Sequence, residues 1–262
     1  STNVTSGNSN TVLGYNALAT ATSTLGATAV GFQALASNTV GGSNSAFGRN
    51  SMRLNTTGSD NSAFGLFSLE ENVTGSFNTA LGSGALNRST ASNNTAVGYA
   101  SLSFNTGGGN TAVGMQALQL NRTGGTNTAI GEGVSINNTS ATSTVALGYY
   151  AGSGSASFNA QGYTITGYLA GDNIATGSNY NTFYGYQSGS AVTSGYGNIL
   201  VGPSVTANNV TTGFGNIGIG YNTFFPSATE NRQLNIGGFI FGTLPATSTS
   251  LVAAPRGALG IG

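Results

Sequence analysis

Apolar and polar positions along this chain fall into one recurring phrase rather than into helical or long alternating stretches. The phrase is Asn-Thr-Ala-Val-Gly, plainest at Asn94–Gly98, Asn110–Gly114 and Asn127–Gly131, and in its fullest form two residues and Ala-Leu follow. Its closing glycine recurs as Gly14, Gly31, Gly48, Gly65, Gly82, Gly98, Gly114, Gly131 and Gly148. It continues less regularly as Gly167, Gly185, Gly202, Gly220 and Gly237, with intervals of 16 to 19 residues throughout. One position before the glycine runs an apolar column that includes Leu13, Val30, Phe47, Phe64, Leu81, Val97, Val113 and Ile130. Four positions after it runs a second: Leu18, Leu35, Met52, Leu69, Leu86, Leu102 and Leu118.

A fixed glycine and β-branched residues in every unit count against helix. A unit of this length is also too short for a helix–turn–helix repeat, which needs more than about 30 residues. It predicts an all-β fold, a parallel β-solenoid of about fourteen coils with ~17-residue repeats, each coil holding two strands of about five residues and two turns. At ~4.8 Å per coil the rod is roughly 65 Å long. Stacking turns each column into a ladder, burying what a single coil cannot bury alone.

The columns have backbone roles. Gly98, Gly114 and Gly131 mark a corner where φ is positive or the next coil approaches too closely for a Cβ. Asn94, Asn110 and Asn127, with Asn10, Asn44, Asn61, Asn78, Asn181, Asn198 and Asn216, are expected to stack as an amide ladder that satisfies turn backbone groups. Asn55–Gly58, Asn72–Gly75 and Asn121–Gly124 read as the opposite turn. Strand alternation puts Val97, Val113 and Ile130 on the face of the Thr column and the alanines on the other, without saying which face is interior. With the alanines outward, Ala63, Ala80, Ala96, Ala112 and Ala129 form a small apolar stripe and are candidates for an oligomer interface. An exposed stripe of that length marks lengthwise packing of a cyclic homo-oligomer.

Composition narrows the function. Charged residues are 5% and the formal net charge is +0, so there is no basic stripe for nucleic acid. With 38% hydrophobic residues, charge-driven disorder is also excluded. No apolar run approaches the ~18 residues of a membrane span. Ser1 reads as a processed, trimmed or excerpted start. The Asn-x-Thr triplets at Asn55, Asn72 and Asn121 read as products of composition rather than glycan acceptors.

Catalytic chemistry is sparse. His and Cys are absent, which removes Ser-His and Cys-His pairs and the usual zinc ligand sets. The carboxylates are Asp60, Glu70, Glu71, Glu132, Asp172 and Glu230. A glycosidase needs two about 5–9 Å apart, and the adjacent Glu70 and Glu71 point apart on a strand. Gly213–Gly218 spells a dinucleotide fingerprint but lacks the βαβ unit that gives it purpose. No enzyme activity, cofactor or structural metal is expected. The Thr column raises an ice-binding face, interrupted at Val145, Ile199 and Ile217. The tyrosines Tyr149, Tyr150, Tyr163, Tyr168, Tyr180, Tyr184, Tyr186 and Tyr196 offer sugar stacking or, more simply, ladders closing wider coils.

At Asn94–Gly98, Asn110–Gly114, Asn127–Gly131 and Val145–Gly148 the sequence resembles the head repeats of trimeric autotransporter adhesins and related phage tail-fibre repeats. The resemblance spans roughly residues 8–150 closely and 180–237 loosely, with a longer period than the adhesin unit. It implies a left-handed parallel β-roll with three chains side by side. On this reading 1–150 are regular repeats, 151–237 a Tyr-rich continuation, and 238–262 a connector resembling the stretch before fibre trimerisation parts. The expected function is a structural or adhesive fibre segment on a cell or virion surface, its partner another copy of itself and a surface glycan or host receptor.

Overall fold

The computed structural model describes residues 9–205, 210–244 and 260–261. Among these there is no helix, and sixteen strands form one sheet in sequence order. The first eight are β1 (Thr11–Leu13), β2 (Thr28–Val30), β3 (Ser45–Phe47), β4 (Ser62–Phe64), β5 (Thr79–Leu81), β6 (Thr95–Val97), β7 (Thr111–Val113) and β8 (Thr128–Ile130). The rest are β9 (Val145–Leu147), β10 (Thr164–Thr166), β11 (Thr182–Tyr184), β12 (Ile199–Val201), β13 (Ile217–Ile219), β14 (Gln233–Ile236), β15 (Ile240–Thr243) and β16 (Gly260–Ile261). Strands β1 to β14 are parallel, each position pairing with its counterpart one repeat on, as Thr95 with Thr111 and Val97 with Val113. The fold is a parallel β-solenoid of about thirteen turns. Strand β15 then reverses against β14, and β16 against β15. Ser1 and the closing residues Gly257, Ala258, Leu259 and Gly262 lie outside the described residues.

Each turn holds one strand of three residues, not the two of five that the period predicts. The reason is backbone sign. After the corner glycine the chain enters left-handed φ twice, at Gln33 (55°) and Leu35 (51°), which curls it too tightly for a second strand. This side still hydrogen bonds to its neighbours: the Gln33 N–H donates to Tyr15 O (2.9 Å) and the Leu35 N–H to Ser51 O (3.0 Å). The third side does the same, the Thr39 N–H donating to Thr56 O at 3.0 Å. A left-handed leucine costs about 1–2 kcal/mol. Full burial of that side chain, worth about 1.5–3 kcal/mol, offsets it.

The corner glycine is required on two grounds. Gly114 has φ +133°, and a Cβ there would sit 2.3 Å from the Gly131 carbonyl oxygen. Gly98 and Gly131 repeat this, at φ +124° and +133°. The coils therefore stack glycine on glycine.

Inside, the strand's central alanine and the Leu column are fully buried, Ala112 and Leu118 being an example. Around β10 and β11 the two columns exchange volume. The strand centre grows to Ile165, Phe183 and Leu200, all buried, while the left-handed Leu position becomes Gly152, Gly171 and Gly189. A Cβ on Gly189 would lie 2.7 Å from the Phe183 ring, and one on Gly171 3.0 Å from both Ile165 and that ring. Tyr163 fills the longest coil; its buried hydroxyl donates to Ser135 Oγ at 2.8 Å, and burial pushes its pKa up.

Three outcomes are expected in equilibrium unfolding. Gly114→Ala lowers stability by about 2–3 kcal/mol, through strain and overpacking. Phe183→Ala costs about 3–5 kcal/mol. Gly189→Leu is harmful alone but recovers more than half of that loss in the double variant, a coupling that additive sites do not show.

Candidate interaction surface

The surface is set by what the interior demands. Asn94, Asn110 and Asn127 lie inside the coil, with Asn44, Asn61 and Asn78 in the same buried column. The Asn110 Oδ1 accepts from both the backbone N–H (3.1 Å) and the side-chain Nδ2 (2.8 Å) of Asn127. Asn94 Oδ1 receives the same pair from Asn110, at 3.0 and 3.1 Å. The ladder runs to Thr144, whose N–H and hydroxyl both donate to Asn127 Oδ1. Tyr163 replaces the next amide, and the column resumes at Asn181, Asn198 and Asn216.

A second amide ladder runs beside the first, through positions the sequence pattern assigns only to a turn. Asn55 Nδ2 donates to Asn38 Oδ1 (2.7 Å) and Asn72 Nδ2 to Asn55 Oδ1 (3.0 Å). The Gly58 carbonyl accepts from both ladders, from Asn44 at 2.7 Å and Asn55 at 2.9 Å. Asn55, Asn72 and Asn121 are fully buried, so in the folded chain their Asn-x-Thr triplets cannot carry glycans. The signal for this ladder is the spacing of Asn38, Asn55, Asn72, Asn105, Asn121 and Asn138, which keeps step with the first.

With two amide ladders and a Leu column inside, the remaining wall has room only for a methyl group. The alanines take it. Ala63, Ala80, Ala96, Ala112 and Ala129 are at most 1% exposed, so they line the core and cannot form an oligomer interface. The outer face instead carries the Thr column and the column of Val97, Val113 and Ile130. It is flanked by the residue after each corner glycine, which is aromatic or methionine at Tyr15, Phe32, Tyr99, Met115, Tyr149, Tyr168 and Tyr186 and polar at Arg49, Ser83 and Glu132. An apolar stripe does run along the rod, therefore, on the face opposite to the alanines. Leu13 is 68% exposed, Leu81 49% and Tyr184 61%, and such continuity marks an interaction surface.

Aromatic rings on this stripe stack from coil to coil. Tyr149, Tyr168 and Tyr186 follow one another at 5.2 and 5.4 Å between centroids, 10° and 4° from parallel. Phe47 and Phe64 do the same at 4.7 Å. Each inner ring gives its faces to its neighbours, leaving edges and hydroxyls outward, so a sugar meets edges rather than ring faces. Of the eight tyrosines 149 to 196, only Tyr163 is fully buried. The Thr column faces outward on β5 to β8 beside Leu81, Val97, Val113 and Ile130, but the bulky Phe47, Phe64 and Tyr184 break its flatness.

The carboxylates do not converge. Glu70 pairs with Arg53 one coil before (2.8 Å), and Glu71 with Arg88 one coil after (3.6 Å). Asp172 has one carboxylate oxygen buried without a partner, and loss of hydration pushes its pKa up, a bond to its own backbone N–H pulling it partly back. Gly213–Gly218 runs from a turn into β13, where Gly218 faces Val205 and Phe225. A cleft of about 340 Å³ between Tyr221, Phe224, Asn235 and Phe241 contains no charged group. Among the described residues no three His, Cys, Asp or Glu side chains gather as metal ligands, and no helix is long and apolar enough to cross a membrane. The chain matches no protein-family model, no curated protein and no solved structure.

Asn61 tests the ladder. Its side chain accepts from the Asn78 N–H (2.9 Å) and donates to Gly75 O (2.9 Å), so Asn61→Ala strands buried partners and costs more than about 2 kcal/mol in urea unfolding. Asn61→Asp is more damaging at neutral than at acid pH. A buried carboxyl has a raised pKa, and its penalty grows as pH rises through that value.

Proposed function

We propose that this chain is a non-enzymatic structural and adhesive segment of a fibre on a cell or virion surface, whose copies pack side by side along the strand face. The observation that carries this is the apolar stripe, which runs along most of the rod and is made largely of bulky residues that the chain's own core has no place for. Stiffness follows from the coil-to-coil hydrogen bonds and the two amide ladders, and the chain's near absence of charge leaves little to steer a polar ligand. Three chains in cyclic symmetry is the arrangement that the resemblance to adhesin heads implies, and a surface glycan or host receptor is the partner such a segment would meet. An ice- or glycan-binding rod is the second reading, favoured by the outward Thr column and the row of tyrosine hydroxyls.

Light scattering coupled to size exclusion decides between them. The expected native mass is a small multiple, threefold on the adhesin pattern, of the 25.9 kDa chain with an elongated profile. A folded single chain overturns the fibre reading, and thermal hysteresis or glycan retention by that single chain establishes the second.

A further inference from the structure

The strand face has two edges, and their side chains are matched in size. On rungs β1 to β13 the residue two positions before the strand forms a leading edge and the residue two positions after it a trailing edge, six positions apart in sequence; on β14, counted from Leu234, which pairs with Ile217, they are Arg232 and Gly238. On four of the five rungs whose leading residue is glycine the trailing one is large, as Gly26 with Phe32, Gly109 with Met115 and Gly215 with Tyr221, the exception being Gly197 with Pro203. The two smallest trailing residues, Ser83 and Gly238, stand on rungs whose leading residues are Phe77 and Arg232. Rung β11 alone carries two large residues, Tyr180 and Tyr186.

Contacts inside the chain do not explain the matching. Six residues of extended chain span about 20 Å, so the two edges of a rung are well apart. Nor does the backbone force glycine on the leading edge, since Phe77, Tyr180 and Arg232 hold φ of 57° to 60° there. Space forces it at Gly162, where a Cβ would lie 2.6 Å from the Tyr180 ring, but not at the other leading glycines. A Cβ on Gly26 would find nothing nearer than 3.9 Å, on Gly215 nothing nearer than 3.6 Å, and on Gly197 nothing within 4 Å. Large exposed side chains such as Phe77 (62%) and Tyr221 (79%) point at solvent, as knobs without holes.

The holes lie on another copy. We infer that the trailing edge of one chain packs against the leading edge of a second, parallel copy in register, with the strand faces turned toward a common axis. Antiparallel neighbours would set trailing edge on trailing edge, tyrosine against tyrosine. A shift of one rung would set Phe77 against Leu66 or Tyr99 instead of Ser83. Charge agrees with this direction. Arg49, on the trailing edge of β3, and Asp60, on the leading edge of β4, belong to neither of the two ion pairs found among the described residues. In-register packing brings the neighbour's Asp60 within about one ~4.8 Å rung of Arg49, which rewards correct pairing more than it adds affinity. A strip ~60 Å long and ~10 Å wide covers roughly 600 Å² on each copy, which reaches the size of a specific interface. Because unlike edges meet, the contact is heterologous and closes into a ring.

This inference rests on the side-by-side packing proposed above, and cysteine pairs separate the two. The chain has no native cysteine, and Thr126 and Glu132 are the two edges of rung β8, too far apart for a bond within one chain. On oxidation, the Thr126→Cys/Glu132→Cys double variant is expected to link into a species of the native assembly's full mass. Each single variant, and Thr126→Cys paired with Tyr168→Cys two rungs away, is expected to stay unlinked. Ser83→Phe should weaken association by roughly tenfold or more, as overpacking does, and adding Phe77→Ser should restore it. Linking by Glu132→Cys alone, or an intact assembly that the double variant fails to link, overturns the edge assignment and leaves side-by-side packing standing. A native mass of one chain removes both.

Discussion

A coil of about seventeen residues encloses an interior only a few side chains wide, so buried polar groups find their partners within the coil or in the coil above or below. The asparagine ladders meet that constraint. In the first ladder the oxygens of Asn44, Asn61, Asn94 and Asn110 each take two hydrogens from the next coil, and amide nitrogens of both ladders donate to turn carbonyls, as Asn44 and Asn55 do together at Gly58. Because the amides point inward, the turns stay narrow, and because they repeat at the rung spacing, each step repeats the hydrogen bonds of the last. Glycine at the corner follows from the same spacing: stacked carbonyls leave no room for a Cβ.

The interior tolerates a change of composition only if its volume is kept. In β2 to β9 the strand contributes a methyl group and, over most of that run, the left-handed position a leucine or methionine. In β10 and β11 the strand contributes Ile165 and Phe183, and the neighbouring left-handed positions only hydrogen. This is close packing acting across two columns of one coil, and it lets the Tyr-rich part continue the same sheet with longer repeats. Tyr163 belongs to this accommodation, taking the place of a ladder asparagine while keeping a hydrogen-bonded tip.

What the interior excludes, the surface carries. With amides, leucines and methyls inside, the large residues beside many of the corner glycines point outward, and some of them stack from coil to coil, as Tyr15 on Phe32 and Tyr149, Tyr168 and Tyr186 on one another. In the fibre role proposed above, stiffness would come from within each chain, and adhesion between chains would fall to a face whose large side chains the chain does not bury by itself.

Much of this was legible in the residues. The period, the parallel in-register stacking, the corner glycines and the first asparagine ladder all follow from columns at fixed spacing, because a stacked coil repeats its neighbour's chemistry. Other features were not legible. Two five-residue strands per coil satisfied the period as well as one three-residue strand with a left-handed curl, since leucine in left-handed φ is unfavourable locally and only its burial makes it stable. The second ladder, at Asn38, Asn55 and Asn72, was hidden because turn asparagines look alike whether they point in or out. The face of the strand was undetermined for a similar reason, since alternation separates Ala from Val without naming the inner one. Tertiary structure decided it through width: once Leu118 and two rows of amides occupy the coil, the space left against Ala112 holds a methyl and nothing larger.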